Sequence, residues 1–462
     1  MYNNFKFKRI EDQYLITNDG GHYAFLSPDD FKSLLLNEDS LSCEKVEELR
    51  NTRFLISDDK EIFINEVYPE VRHYKDYLFS STSLHIFVVT TLCNQKCIYC
   101  QASVSTQDNS RMMNIETAKK AVDIALSANQ EYFSFEFQGG EPLMNFPVIK
   151  FITEYTESIR GDKKVEYNIV SNLLLLNNEF LDFFAKHRFN ISTSLDGGES
   201  LHNKNRPALK ENSFHIIKRA LESIRKRDLP ISAIQTTTRH SLKQAKDIVD
   251  TYLELGFNSI FLRPLTKLGF AHNNWKNIGY TAEEFLDFYK EAIFYIIELG
   301  RKKVAIRESH ASIFLKKILK KLSVNYMELR SPCGAAIGQL AYYYDGNVYT
   351  CDEGRMLGEM GDNSFCFGNV NKITYQDIIN SPVCQSVCSA SCLESIPYCS
   401  DCVYQPYCGI CPVINFSENG SLFSQVPADF RCKVYMGIQD ILFKIIKNGD
   451  ESTIKLLYTW CC

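Results

Sequence analysis

Cys93-Asn94-Gln95-Lys96-Cys97-Ile98-Tyr99-Cys100 places three thiols within eight residues, directly after an apolar, β-branched run at residues 83–91 (SLHIFVVTT). Such a run reads as a buried strand emptying into a loop. Three thiolates on so short a piece of chain can converge on one soft metal centre. They are one too few to close a tetrahedral zinc site or a four-cysteine cluster. One coordination position therefore stays open for a substrate or cofactor. Three thiols buried as small hydrophobes, or a partial zinc knuckle, are the plainer readings of the same loop.

The 462-residue chain is 45% hydrophobic and 23% charged, which suits two or three domains with normal cores. A formal charge of −5 and an isoelectric point near 6.1 argue against a general nucleic-acid binder and give no sign of a basic membrane-surface patch. No apolar run reaches the length of a membrane span, and the opening MYNNFKFKRIEDQY lacks an apolar signal core. A cytoplasmic location is expected. Seventeen cysteines in a reducing compartment read as metal ligands more readily than as a disulfide framework.

Upstream of the thiol loop, residues 1–80 form a separate small module. Gln13 to Leu26 reads as a hairpin turned by Asp19-Gly20-Gly21. Ser27-Pro28-Asp29-Asp30 then opens a helix, with the cap, the first-position proline and the first-turn acids in order. A second helix over 43–51, a short strand FLIS at Phe54 and a connector over 68–79 complete the module.

Downstream, over 81–325, β-rich and amphipathic runs alternate. Strands are expected at 84–90, 132–138, 165–170, 190–195, 231–237 and 259–263, with helices such as 115–128, 148–159, 214–226 and 242–255 between them. Alternation of this kind implies parallel strands with crossover helices. Six units fall short of a full barrel, so the expected fold is α/β, a partial (β/α)6 TIM-like barrel. Active sites of parallel barrels lie at the C-terminal ends of the strands. Gly139-Gly140-Glu141-Pro142, Ser171-Asn172, Ser194-Leu195-Asp196-Gly197 with His202 and Arg206, and Arg263 all follow strands.

Residues 326–432 hold a second field of cysteines: Cys333, Cys351, Cys399-x2-Cys402, Cys408-x2-Cys411 and Cys432. Paired C-x2-C turns point both thiolates inward and are a strong metal signal. Cys366, Cys384, Cys388 and Cys392 intervene, the last three spaced to share a helix face. A helix over 434–447 and a tail ending Trp460-Cys461-Cys462 occupy 433–462.

The C-x3-C-x2-C loop resembles the signature of the radical S-adenosylmethionine (SAM) enzymes. The resemblance implies a [4Fe–4S] cluster on Cys93, Cys97 and Cys100, with SAM chelating its fourth iron. It implies reductive cleavage of SAM to a 5′-deoxyadenosyl radical that abstracts hydrogen. Gly139, Gly140, Glu141 and Pro142 match the family's GGEP segment, which binds the SAM amino group. Ser171 and Asn172 stand where the family often carries Thr-Asn-Gly; leucine follows here, so a different turn is expected. Ser194 and Asp196 would face SAM's ribose or carboxylate, and Arg206 would pair with a carboxylate.

The second cysteine field resembles the SPASM domain with two auxiliary iron–sulfur clusters. By that resemblance Cys399, Cys402, Cys408 and Cys432 hold the outer cluster, and Cys333, Cys351 and Cys411 the inner one. The family usually spaces the last pair by three residues rather than two. The inner fourth ligand would come from one of the intervening cysteines, or the site would stay open to substrate. Asp352, beside Cys351, is the place where some relatives take a proton from oxidised substrate. Residues 1–80 are similar to the winged-helix-like module that adds a precursor peptide's leader as an extra strand. The 402–412 run (CVYQPYCGICP) and Gln101 look closest to maturases of His-Xaa-Ser peptide systems. The implied activity is a peptide-modifying oxidoreductase that installs a C–C, C–O or thioether crosslink. Its partners would be a leader-bearing precursor peptide and an electron donor such as flavodoxin or ferredoxin. A sulfatase-type maturase, a small-molecule radical SAM enzyme and a zinc scaffold are the alternatives.

Overall fold

The computed structural model describes residues 2–36, 40–56, 59–102, 110–208, 212–425 and 429–461; Cys462 lies outside them. At the N-terminus β1 (Lys6–Ile10), β2 (Gln13–Thr17) and β3 (Tyr23–Leu26) form an antiparallel sheet in that order. The β2–β3 hairpin has the expected turn and pairs Tyr14 with Leu26 and Thr17 with Tyr23. α1 (Pro28–Leu36) starts where Ser27 Oγ accepts the Asp30 N–H at 3.0 Å, and α2 (Cys43–Asn51) where Ser42 Oγ accepts that of Lys45 at 3.2 Å.

Two expectations for this module change. The FLIS strand reduces to a single bridge between Leu55 and Tyr2, with Ser57 outside the described residues. The connector over 68–79 is largely helical: α3 (Lys60–Tyr74) runs through Pro69, and a 3-10 turn follows at Asp76–Phe79. Asp59 caps α3 by accepting the Glu61 N–H at 2.9 Å.

Six parallel strands then arise where alternation placed them. They are β4 (Leu84–Thr90), β5 (Tyr132–Gly139), β6 (Lys164–Val170), β7 (Asn190–Ser194), β8 (Ile231–Thr236) and β9 (Ser259–Arg263). Each pairs with the next in sequence order. The crossovers are α4 (Ile115–Leu126), α5 (Phe146–Ile159), α6 (Asn178–His187), α7 (Glu199–Asn205), α8 (Ser213–Arg225) and α9 (Ala245–Glu254). α10 (Phe270–Ile278) and α11 (Ala282–Arg301) follow, then the short β10 (Arg307–Glu308), parallel to β9, and α12 (Ser309–Lys320). Along β5, Phe133, Phe135 and Phe137 are buried in the core that α4 and α5 close. Burial of each ring stabilises by about 1.5–3 kcal/mol.

The sheet continues beyond the barrel. β11 (Gln339–Tyr342) pairs in parallel with β4, and β12 (Asn347–Tyr349) follows antiparallel to it. α13 (Asp352–Glu359) intervenes before β13 (Cys366–Asn369) pairs antiparallel with β12. β4, which ends in the thiol loop, is thus hydrogen-bonded on both sides. His85 sits at that seam, fully buried: its Nε2–H donates to Thr82 O at 3.3 Å, and Tyr342 Oη donates to its Nδ1 at 3.0 Å. α14 (Tyr375–Ile379), α15 (Pro382–Ser389), α16 (Pro412–Asn419), α17 (Phe430–Asn448) and α18 (Glu451–Thr459) complete the chain. Because α17 begins at Phe430, the boundary expected at 432/433 falls inside a helix, and Cys432 lies on its first turn. Cys392 lies beyond the end of α15, so it does not share the helix with Cys384 and Cys388.

The N-terminal sheet docks on the cysteine-rich region. Tyr74 Oη donates to Pro406 O at 2.8 Å, Tyr407 Oη to Gly21 O at 3.1 Å, and Thr17 Oγ1 to Val403 O at 2.7 Å. Ile10, Leu15 and Tyr74 share one core with Tyr407 and Phe443. Among the described residues no helix is long and apolar enough to cross a membrane.

Candidate functional site

Cys93, Cys97 and Cys100 open on a cavity of about 510 Å³ at the C-terminal ends of the barrel strands. Their loop is held by backbone docking on the end of α7. The Lys96 N–H donates to Pro207 O at 3.1 Å, the Ile98 N–H to Asn205 O at 3.0 Å, and Gln95 Nε2 to Arg206 O at 2.9 Å. None of the three is in a disulfide. Burial pushes the Cys97 thiol up to about 12 and Cys93 higher still. Desolvated thiols gathered at one mouth suit a thiophilic centre, since coordination stabilises the thiolate that burial opposes. The donor set fits an iron–sulfur cluster held by three cysteines.

Gly139 and Gly140 line the cavity; Glu141 and Pro142 do not. The glycines are required by the neighbouring chain. A Cβ on Gly139 would stand 2.1 Å from Thr90 O, and one on Gly140 2.2 Å from Leu92 O. This close approach lets the Gly140 N–H reach Thr90 O at 2.9 Å and the Glu141 N–H reach Leu92 O at 2.7 Å. Glu141 is fully buried and clamps the next loop. It accepts from Ser171 Oγ (2.8 Å), the Asn172 N–H (2.8 Å) and the Leu143 N–H (3.1 Å). Burial pushes its carboxyl up to about 7, against the pull of those donors. Glu141 therefore positions the loops behind the cavity, with the two glycines in front. Pro142 is buried and opens a 3-10 turn.

Ser171 and Asn172 both line the cavity. Asn172 Nδ2 lies 3.8 Å from Cys93 Sγ and 2.8 Å from Asn94 Oδ1, tying the β6 loop to the thiol loop. At the turn itself, Leu173 takes the left-handed conformation (φ 63°) while fully buried. Its side-chain burial offsets a backbone cost of about 1–2 kcal/mol.

Ser194 and Arg206 line the cavity, but Asp196 lies behind it, fully buried. Tyr99 Oη donates to both of its oxygens at 2.8 and 2.9 Å, and Arg206 Nε donates at 3.1 Å. Asp196 is thus saturated by protein donors, which corrects its placement toward a bound nucleotide. It is also the carboxylate that Arg206 pairs with. Arg206 Nη1 lies 3.8 Å from Cys97 Sγ, so the network ends on a thiol.

The opposite wall comes from α13 and the segment before β11. Asp352 and Arg355 line it as an ion pair at 2.8 Å, with Arg355 Nη2 also donating to Gln138 Oε1 at 3.3 Å. Glu136, Gln138, Arg263, Tyr326, Glu328 and Glu353 face the same space and were not singled out from sequence, Arg263 excepted. Glu136 and Gln138 were legible, because they alternate with the buried phenylalanines of β5. Glu328 accepts from Arg263 Nη2 at 3.0 Å, Arg431 Nη1 at 3.4 Å and Tyr435 Oη at 3.2 Å. Burial opposes its ionisation, yet Arg431 and Arg263 hold it down at about 2.

Behind that wall the second cysteine field resolves into two groups. Cys399, Cys402, Cys408 and Cys432 line one small pocket, which Cys411 also touches. Cys333, Cys351 and Cys411 are buried in one packed cluster. Burial pushes Cys399, Cys408 and Cys432 up to about 12 and Cys333 to about 11, so these thiols too suit a centre that takes their protons. No three Cys, His, Asp or Glu side chains among the described residues are placed to hold a single metal ion.

Residues 87–238 match the model of the radical SAM superfamily, and 333–403 that of an iron–sulfur cluster-binding domain, SPASM. The cysteine-type anaerobic sulfatase-maturating enzyme of Clostridium perfringens (strain 13) is 24% identical over 58% of this chain and 74% of its own. The structure of anSMEcpe with bound AdoMet and Cp18Cys peptide superposes with a TM-score of 0.68 at 19% identity, covering 82% of this chain and 99% of that one. SuiB of Streptococcus suis bound to its precursor peptide SuiA gives 0.55 at 14% identity, covering 92% and 99%. The thiol trio at the barrel mouth and the two cysteine groups behind it lie inside or beside these matched stretches: the chain is an enzyme that carries a radical SAM domain over residues 87–238 and a SPASM domain over 333–403, and its cofactors are S-adenosylmethionine and iron–sulfur clusters.

Proposed function

We propose that the chain modifies a ribosomally made precursor peptide, installing a C–C, C–O or thioether crosslink. The observation that carries this reading is the arrangement of the cavity. One wall holds the three thiols and the glycine loop; the facing wall is α13, which starts immediately after the inner-group Cys351. A side chain inserted between them would meet the radical source on one side and an electron acceptor on the other. The bound cluster and SAM supply the one-electron chemistry that removes a hydrogen atom from substrate carbon. The protein's own residues orient and shield. Arg206, Asn172 and Ser194 would border the nucleotide end, and the Asp352 carboxylate, held by Arg355, would act as the base that takes the proton lost by the substrate.

The three-stranded N-terminal sheet supports a winged-helix-like leader-binding role for residues 1–80, since among the described residues both β1 and β3 have an edge unpaired by another strand. SuiB, a structural neighbour that covers 92% of this chain, is solved bound to its precursor peptide SuiA. The 402–412 run supports placing the enzyme beside maturases of His-Xaa-Ser systems. The sulfatase-maturase reading draws on the Clostridium perfringens relative.

Anaerobic holoenzyme incubated with SAM, reductant and a leader-bearing precursor peptide should yield deoxyadenosine and a peptide lighter by two hydrogens. Deletion of residues 1–80 is a poor test, because it strips Ile10, Leu15 and Tyr74 from the main core. Competition by a synthetic leader segment is the sound one: it should suppress peptide modification and leave SAM cleavage. Modification of a leaderless peptide or of a sulfatase fragment at equal rate would overturn the reading.

A further inference from the structure

We propose that Cys388 is the fourth ligand of the inner centre, completing Cys333, Cys351 and Cys411; this rests on the iron–sulfur reading of that trio. The trio packs in one buried cluster with Val387, the residue before Cys388 on α15. Residues 384, 387 and 388 share one helical face, and Ser391 follows just past the helix end. That face is pinned to the trio at its C-terminal end. The Cys333 N–H donates to Ser391 Oγ at 3.0 Å, and Ser391 Oγ lies 2.7 Å from Val387 O and 3.2 Å from Cys388 O.

A second observation points to the same place. Arg330 is 1% exposed, with its guanidinium 4.4 Å from the centre of the Tyr77 ring. Its Nε donates to Pro332 O at 3.2 Å and its Nη1 to Asn325 Oδ1, while Nη2 has no partner. Its charge acts on the thiols of both Cys333 and Cys388. A buried guanidinium N–H left unmade is costly, and a thiolate-bound cluster between those two cysteines supplies the acceptor.

Cys366 and Cys392 are engaged elsewhere, and the Cys384 side chain hydrogen-bonds that of Cys388. Cys366 packs with Tyr349 on the outer strands, its Sγ 3.9 Å from Gly368 O. Cys392 Sγ donates to Glu394 Oε2 at 3.3 Å, and Glu394 is held by Ser331 and Gln405. Cys384 sits one turn farther from the pinned end than Cys388. On ligation the Cys388 thiol releases its proton to solvent and its sulfur lone pair fills the open iron position; no electron moves. The inner centre is then closed, so substrate is held by the cavity walls and not through an auxiliary iron.

The test uses full-length chain carrying Cys93→Ala, Cys97→Ala and Cys100→Ala, which isolates the auxiliary centres. After anaerobic reconstitution, iron and sulfide per chain are measured, with EPR after mild oxidation. Added Cys388→Ala should give a three-iron cluster signal or halve the iron, whereas Cys384→Ala and Cys366→Ala should match the parent. Cys388→Ser should keep the iron but shift the reduced g-values. Parent-like iron and spectra in both Cys388 variants, or the three-iron signal appearing with Cys384→Ala instead, would overturn the assignment. A parent without auxiliary iron would overturn the underlying reading as well, which separates the two failures.

Discussion

Replacing Asp196 by asparagine keeps the shape of the network behind the cavity and removes its charge. Asp196 is fully buried, takes two contacts from Tyr99 Oη and is the partner of the buried Arg206 at 3.1 Å. With a neutral amide there, Arg206 becomes an uncompensated buried cation, a change that costs about 3–5 kcal/mol. Unfolding entropy of about 2.1 cal/mol/K per residue over 462 residues makes roughly 1 kcal/mol per kelvin, if the chain melts as one unit. The melting temperature should therefore fall by about 3–5 °C. The assay is calorimetry of metal-free protein, so that cluster loss does not enter. Arg206→Met alone should cost a similar amount, because it strands the carboxylate. The double variant Asp196→Asn/Arg206→Met should recover most of the loss, giving a coupling energy of about 2 kcal/mol or more. A single-variant loss under about 1 kcal/mol, or strictly additive losses in the double variant, would refute a charge-coupled network.

Gly140→Ala puts a methyl 2.2 Å from Leu92 O, so the thiol loop must shift; iron bound at the first site should fall, with a stability loss of about 1–3 kcal/mol measured by urea unfolding. His85 gives a pH signature. Burial lowers it from 6.5 to about 3, so the fold favours its neutral ring; stability is full above pH 6.5 and is lost as pH falls toward 3, by about 4–5 kcal/mol in all. His85→Gln should flatten that part of the metal-free protein's acid unfolding curve, and an unchanged curve would count against it. Cys93→Ala, Cys97→Ala or Cys100→Ala should each abolish deoxyadenosine formation while leaving auxiliary iron in place, as read by chemical iron assay after reconstitution.

The barrel was legible because its strands are short β-branched or aromatic runs separated by amphipathic helices, a pattern set by local chemistry. The thiol loop and the paired C-x2-C turns were legible by spacing, whereas the division of the second field into two groups came from its resemblance to the SPASM domain. Other features required three-dimensional context. β11 and β12 are four and three residues long, and their pairing with β4 depends on chain far away in sequence. Leu173 takes a backbone conformation that its residue type disfavours, because its side chain finds a buried site. Glu141 and Asp196 look like ligand-facing acids in sequence, yet donors from neighbouring loops claim their oxygens. α3 passes through Pro69, which a local reading takes as a break.

The parallel pairing of β11 with β4 has a mechanical consequence. One strand ends in the loop that carries the first centre, and its neighbour opens the hairpin that leads to Cys351. Cross-strand amide bonds thus tie the strand that feeds the first three thiols to the hairpin that leads to Cys351. A shift of one thiol-bearing segment is therefore resisted by the same ladder that fixes the other.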